Sequence, residues 1–466
     1  MPANLCKAIL TVVIGLALMP PVLRAETKTL ARILDPVVMT GKDLGPLIGQ
    51  APEQMALMAL HAGAWEPVPF QIDQKKPDGT YAYTSGPKAG PDPDPTLDAN
   101  DELVFMAKDA GDRIEKEALP AGAKIAVELE LSDPKNGKKG WAYLMSFSGP
   151  PPRSSKKYVK VELDKGAKRY RFTGAQFVVE IPQGFIVPDY LAGIKEDGSL
   201  GPNVLDRVKI TLKIIVNMIN YSFDLRGDHL IRADTQGWID GPVRVIHFNE
   251  GYVQVAKWIK FRMGGAMKVT LYPYNMEFPM EMEAPEVATE EGKTVTDEDA
   301  KKSPTTVNED VYLDFNHNAY GAKFFSPNHA LNPDVVFDGK MSPAEEALDR
   351  KSITEWAGLV LPQGGGLVAR VNQDPYPKDK QFLPRLYYLD DKTKEDKPEN
   401  EVGTSGMGLS LYHVEQATAQ IPKGQRQIFT TIIYYRRDFT PDNAREFLDI
   451  QDNRLKVQTR PVGAGK

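Results

Sequence analysis

Cysteine is the first thing this 466-residue sequence lacks: it has one, Cys6, and six histidines. Without a second thiol there is no intrachain disulfide, no thiolate-held zinc or iron–sulfur cluster and no CxxCH haem attachment. Long apolar runs are missing as well. After residue 25 no stretch approaches the roughly 18–20 apolar residues a membrane-spanning helix needs. A basic surface is absent too, because 57 Lys and Arg face 63 Asp and Glu for a formal net charge of −6. Lys156-Lys157 and Lys168-Arg169 are small clusters, and no Arg/Lys stripe with aromatic interleaving stands out along the chain, so nucleic acid is not the expected ligand. HExxH, HxH and paired i,i+4 histidines do not occur, which removes the stronger zinc signatures.

The N-terminus is compositionally distinct. Lys7 precedes an apolar run from Ala8 to Met19, then Pro20-Pro21, and the small Ala25 stands before Glu26. Twelve apolar residues are too few to span a bilayer but suit the core of an export signal. The expectation is a signal peptide over residues 1–25 and a periplasmic or secreted mature protein without a transmembrane segment. Cleavage would remove Lys7, Arg24 and Cys6, moving the charge from −6 to −8. A long exported chain with no thiol fits a bacterial envelope better than a secretory route in which disulfides are common.

Alternation dominates what remains. Ile125–Leu131, Tyr158–Leu163, Phe177–Ile181, Val208–Ile219, Gly366–Val371, Gly408–Val414 and Gln427–Tyr435 interleave β-branched with polar residues. Gly (38) and Pro (37) punctuate these runs and few helical patterns intervene, so the expected class is mainly β, with antiparallel sandwich or barrel-like domains and a few short helices. Ser342-Pro343-Ala344-Glu345 carries a capping box with Pro at the first helical position, and Thr440-Pro441 opens a second helix. The Met-rich run Met55–Leu60 reads as a third, short helix. Composition shifts divide the chain into residues 26–150, 151–283, an acidic linker or insertion 284–310, and 311–466.

Two segments carry candidate chemistry. Asp92–Glu102 packs hard oxygen donors into a turn, as Ca²⁺ requires, and Asp94, Asp98, Asn100, Asp101 and Glu102 are the candidate ligands. No glycine stands at the EF-hand position, and Asp and Asn in such a loop also make local turn bonds. Asp224–Gly241 lies between two strands and holds Asp228, Arg232, Asp234, Trp238 and Asp240. An indole beside carboxylates and guanidiniums is the equipment for a sugar, a flat apolar platform with charged partners for hydroxyls. The competing reading is a β-core aromatic beside hairpin acids.

Weaker constellations are Asp314, His317, His329, Asp334 and Asp338, which loops would have to converge on a metal, and Gly403-Thr404-Ser405-Gly406-Met407-Gly408. The latter departs from GxSxG at Met407. Gly364-Gly365-Gly366 has no Lys-Ser/Thr after it and reads as a turn. Three functions stay open: a non-catalytic binder of a glycan or an envelope partner, a carbohydrate-active hydrolase or lyase using paired carboxylates, and a structural or assembly protein with a protein partner.

Overall fold

The computed structural model describes residues 26–114, 119–216, 221–226, 231–256, 259–283, 305–374, 383–394, 400–414 and 426–463. The expected signal peptide and most of the acidic 284–310 segment lie outside them. The described chain is mainly β, as the alternation predicts, with five antiparallel sheets and a few short helices. No helix among the described residues is long and apolar enough to cross a membrane.

Alternation decides how the sheets stack. In the eight-stranded sheet, Leu367, Ala369, Ile433 and Tyr435 face one core, while Val368, Ile432 and Tyr434 face another. The first core is shared with a five-stranded sheet built on the long strands Leu205–Val216, Thr305–Phe315 and Thr404–Val414, and with the four-stranded sheet of residues 160–193. Against the second core lies a three-stranded sheet, Pro36–Thr40, Glu102–Met106 and Phe70–Asp73. That sheet also alternates: Val104 and Met106 face the eight-stranded sheet, and Leu103 and Phe105 face a fifth layer. The fifth layer is ordered 456–462, 123–132, 139–147, 55–61, 64–67. Period-two sequences buried on both faces are what such a stack requires.

Met55–His61 is a strand, which corrects the helix expected there. The run MALMAL has good helix formers but no polar face. It pairs with Lys139–Phe147 on one side and Ala64–Pro67 on the other, with its first five residues buried. Burial on both faces outweighs propensity. The two capped starts do form: Ser342 accepts from Glu345 N and Glu345 answers to Ser342 N before Pro343–Glu346. Thr440 and Asn443 make the equivalent box before the helix Ala444–Asp452, which lays Phe447, Leu448 and Ile450 on the second core beside the three-stranded sheet.

Sheets join distant parts of the chain. Asn275–Glu283 pairs with Arg426–Arg436 along nine residues, and Lys456–Val462 returns to pair with residues 126–132 near the N-terminus.

Candidate functional site

The strand Ile231–Asp240 carries four of the five expected sugar-binding residues; Asp228 lies outside the described residues. Arg232 sets its guanidinium 4.2 Å from the Phe185 ring centroid, and Asp234 is exposed. Trp238 packs edge-on to Tyr170 at 5.8 Å and stacks with His247 at 6.0 Å. The loop at Ser85 covers it, with Ser85 N to Trp238 O at 3.0 Å and Trp238 N to Ser85 O at 2.8 Å. Asp240 accepts from Lys157 Nζ at 2.8 Å and Val161 N at 3.3 Å. Trp238 and Asp240 are thus engaged with protein, and the indole is a half-buried packing group in place of an open platform.

In the Asp92–Glu102 loop the oxygens hold backbone amides. Asp92 caps Asp94 N, Asp94 caps Thr96 N, and Asp98 Oδ1 accepts from Asn100 N at 2.8 Å and Asp101 N at 3.2 Å. Asp101 takes Lys75 N at 2.8 Å and Asp98 N at 3.0 Å; burial pushes its carboxyl up to about 6 against those donors. Asn100 Nδ2 donates to Lys76 O. Among the described residues no group of three or more His, Cys, Asp or Glu is arranged to hold a metal ion. His317 meets Glu401, His329 meets Ser326 and Asp349 N, and Asp314 meets Lys209 at 2.7 Å, so these groups do not converge. Ser405 is buried, with Oγ donating to Asp390 Oδ1 at 2.5 Å.

The last ligand candidate of that loop, Glu102, belongs to a buried ionic seam between the three-stranded and eight-stranded sheets. Its carboxylate accepts from Arg244 Nη2 at 2.7 Å, Lys75 Nζ at 2.5 Å and Tyr81 OH at 3.0 Å. Burial alone would raise its pKa, but Arg244 and Lys75 outweigh it and bring it down to about 2. Arg244 also bonds Asp73, and Gln71 ties the strand ends together by accepting from Val243 N and Arg244 N. This seam is structural and filled.

The space open to a ligand lies elsewhere. Between the eight-stranded and long five-stranded sheets the apolar interior leaves a void of only about 40 Å³, too small for a ligand. A groove of about 460 Å³ opens where the turn after Tyr190–Gly193, the Gln363-Gly364 turn and the end of Arg426–Arg436 meet. Gln176, Lys195, Glu196, Gln363, Arg437 and Asp438 line it around Tyr435.

Local bonds fix its walls. Ile194 N donates to Gln176 O, Arg437 N to Gln176 Oε1 at 2.9 Å, Gly201 N to Gly193 O, and Leu361 N to Gly365 O. Tyr435 packs on Phe177 at 6.0 Å, and its hydroxyl makes no hydrogen bond among the described residues. Burial raises its pKa, so the hydroxyl stays protonated and able to donate and accept. Gly193 and Gly365 leave it room: a Cβ on Gly193 would fall 1.9 Å from the hydroxyl oxygen, and Gly365 sits at φ +78.

Sequence reading missed this groove. Its residues come from three turns and were legible only as turn signals, Gly364-Gly365 among them. No protein-family model matches the chain, and no curated protein is similar enough to match it.

Proposed function

We propose that the chain is an exported β-protein that binds a glycan without cleaving it, and that the Tyr435 groove takes the sugar. The supporting observation is the make-up of that groove. It is open and polar, with Lys195, Arg437, Glu196 and Gln363 along its walls, and it has a free hydroxyl at its base. Mixed donors and acceptors suit a polyol, and about 460 Å³ lies within the range of small-ligand sites. Hydrolysis needs two available carboxyl groups flanking the bond. Here Asp438 is committed to Arg436, with Nε to Oδ1 at 2.5 Å and Nη2 to Oδ2 at 2.8 Å, which leaves Glu196.

The test is native affinity electrophoresis in gels carrying a panel of polysaccharides, with calcium and with chelator, for the wild type and Tyr435→Phe. Retardation on one polymer that weakens in the variant, without loss of the polymer, is the expected result. Clearing of the polymer would make the protein an enzyme. Equal mobility in every lane would remove the glycan and turn the search to an envelope protein partner. Retardation that needs calcium would give the Asp94–Glu102 loop a metal-binding role.

A further inference from the structure

Charge in the Tyr435 groove is uneven, and the imbalance narrows the ligand. Asp438 is spent on Arg436, which is not among the lining residues. Arg436 is filled in turn, with Nη1 2.6 Å from Glu446 Oε2. The other charged side chains of the lining, Lys195, Glu196 and Arg437, are exposed and make no ion pair among the described residues. The free charge is therefore Lys195 and Arg437 against Glu196 alone, an excess of one cation. The chain as a whole carries −6. A cation left uncompensated on the wall of an open groove attracts an anion.

Hydrogen-bonding capacity is biased the same way. Gln176 Oε1 accepts from Arg437 N at 2.9 Å, so its NH₂ remains to donate, and the same bond fixes the main chain that carries the guanidinium. Tyr435 is 4% exposed, yet its hydroxyl opens into the groove without a partner. Burial raises the hydroxyl pKa and the Arg437 charge opposes the shift, which puts the guanidinium near that oxygen. An ammonium, a guanidinium, an amide NH₂ and a phenol are mostly donors, and Glu196 is the one free carboxylate against them. A neutral sugar brings donors with its acceptors and leaves much of that capacity unused. A carboxylate adds two acceptor oxygens that a guanidinium can take in parallel bonds. An excess of one positive charge also matches a carboxylate better than a phosphate ester, which carries about −1.5 to −2 at pH 7.

Resting on the glycan reading, we infer that the groove recognises an acidic sugar, a uronic acid residue of a polysaccharide. Its carboxylate meets Arg437 and Lys195, and its hydroxyls meet Tyr435 and Gln176.

The experiment is isothermal titration of the purified full chain with oligomers of galacturonate, mannuronate and glucuronate. Each is run beside its carboxyl-reduced counterpart, in which a neutral hydroxymethyl group replaces the acid, and dextran sulfate is run as a polyanion of another class. At least one uronate should bind, and its reduced counterpart about tenfold more weakly or worse, since it loses the charge-assisted contacts. Arg437→Gln and Lys195→Gln should each weaken the uronate by about tenfold and barely change the reduced oligomer. Both side chains are exposed, so the variants should keep the wild-type unfolding temperature. A reduced oligomer that binds as tightly as its uronate would overturn the acidic class. So would dextran sulfate binding equally well, or a uronate indifferent to both variants. If no uronate binds, the inference falls: retardation on a neutral polymer in the gels would then keep the glycan reading, and equal mobility in every lane would remove both.

Discussion

Arg244 Nε donates to Asp73 Oδ2 at 2.9 Å, and both side chains are nearly sealed from water. The pair joins the eight-stranded sheet to the three-stranded sheet across 171 residues of chain. Glu102 is a second carboxylate on the same guanidinium, so two acids share one buried cation. Such a cluster is expensive to desolvate and more expensive to break, because each partner left behind is a buried charge.

Asp73→Ala should therefore cost about 3–5 kcal/mol of unfolding free energy. Replacing both ends with apolar groups, Asp73→Leu with Arg244→Met, should recover much of that loss, since Glu102 then keeps Lys75 Nζ as its cation. Urea denaturation of Asp73→Leu, Arg244→Met and the double variant measures the coupling. A double variant as unstable as the sum of the two singles would mean that the seam is held by packing and not by the pair.

Gly193→Ala puts a methyl where the Tyr435 hydroxyl lies, 1.9 Å from the oxygen. Either the ring or the strand Tyr190–Gly193 must move, at about 1–3 kcal/mol for an overpacked site. Tyr435→Phe in the Gly193→Ala background removes the clashing atom and should restore part of the loss, a non-additivity of about 0.5–3 kcal/mol. Thermal unfolding of the four-member cycle reads it. Retardation on the polysaccharide should fall in both single variants, because each removes or displaces the same hydroxyl.

The layers were legible because period-two alternation survives wherever both faces of a sheet meet apolar neighbours of different layers. Leu367, Val368 and Ala369 assign themselves to alternate cores in this way. Met55–Leu60 misled because a strand interior to a sheet and covered on both faces has no polar phase to betray its period. The cap at Ser342 was readable because its bonds span three residues. Trp238 read as a platform because the strand displays it, and what hides it is Ser85, more than 150 residues earlier. The groove escaped for the same reason: Gln176, Gln363 and Tyr435 meet only through sheet order.

Asp101 gives a prediction for the loop that does not depend on any ion. Its carboxylate satisfies two backbone amides, Lys75 N and Asp98 N, from a site that is 1% exposed. Asp101→Ala orphans both and should destabilise by about 1–3 kcal/mol for each amide that water cannot reach. Asp101→Asn keeps one acceptor oxygen and should lose about half as much. Thermal unfolding in chelator compares them; equal losses would show that charge, and not the count of acceptors, is what the loop uses.

His247 sets the sign of one pH effect. It is enclosed by Tyr170, Phe172 and Trp238, its Nδ1 meets Asn249 Nδ2 at 3.0 Å, and its Nε2 has no partner among the described residues. Burial lowers its pKa to about 3. An unfolded histidine takes up a proton near pH 6.5, so between about pH 6.5 and 3 the unfolded chain binds more protons than the folded one. Stability from this group is complete above that window and is lost as pH falls through it. Relative to His247→Gln, which has nothing to titrate, the wild type should lose about 3 kcal/mol between pH 7 and pH 4. Urea denaturation at the two pH values gives that difference, and imidazole NMR should show His247 still neutral at pH 5. A ring that titrates near 6.5 would mean that water reaches Nε2 and that the aromatic enclosure opens.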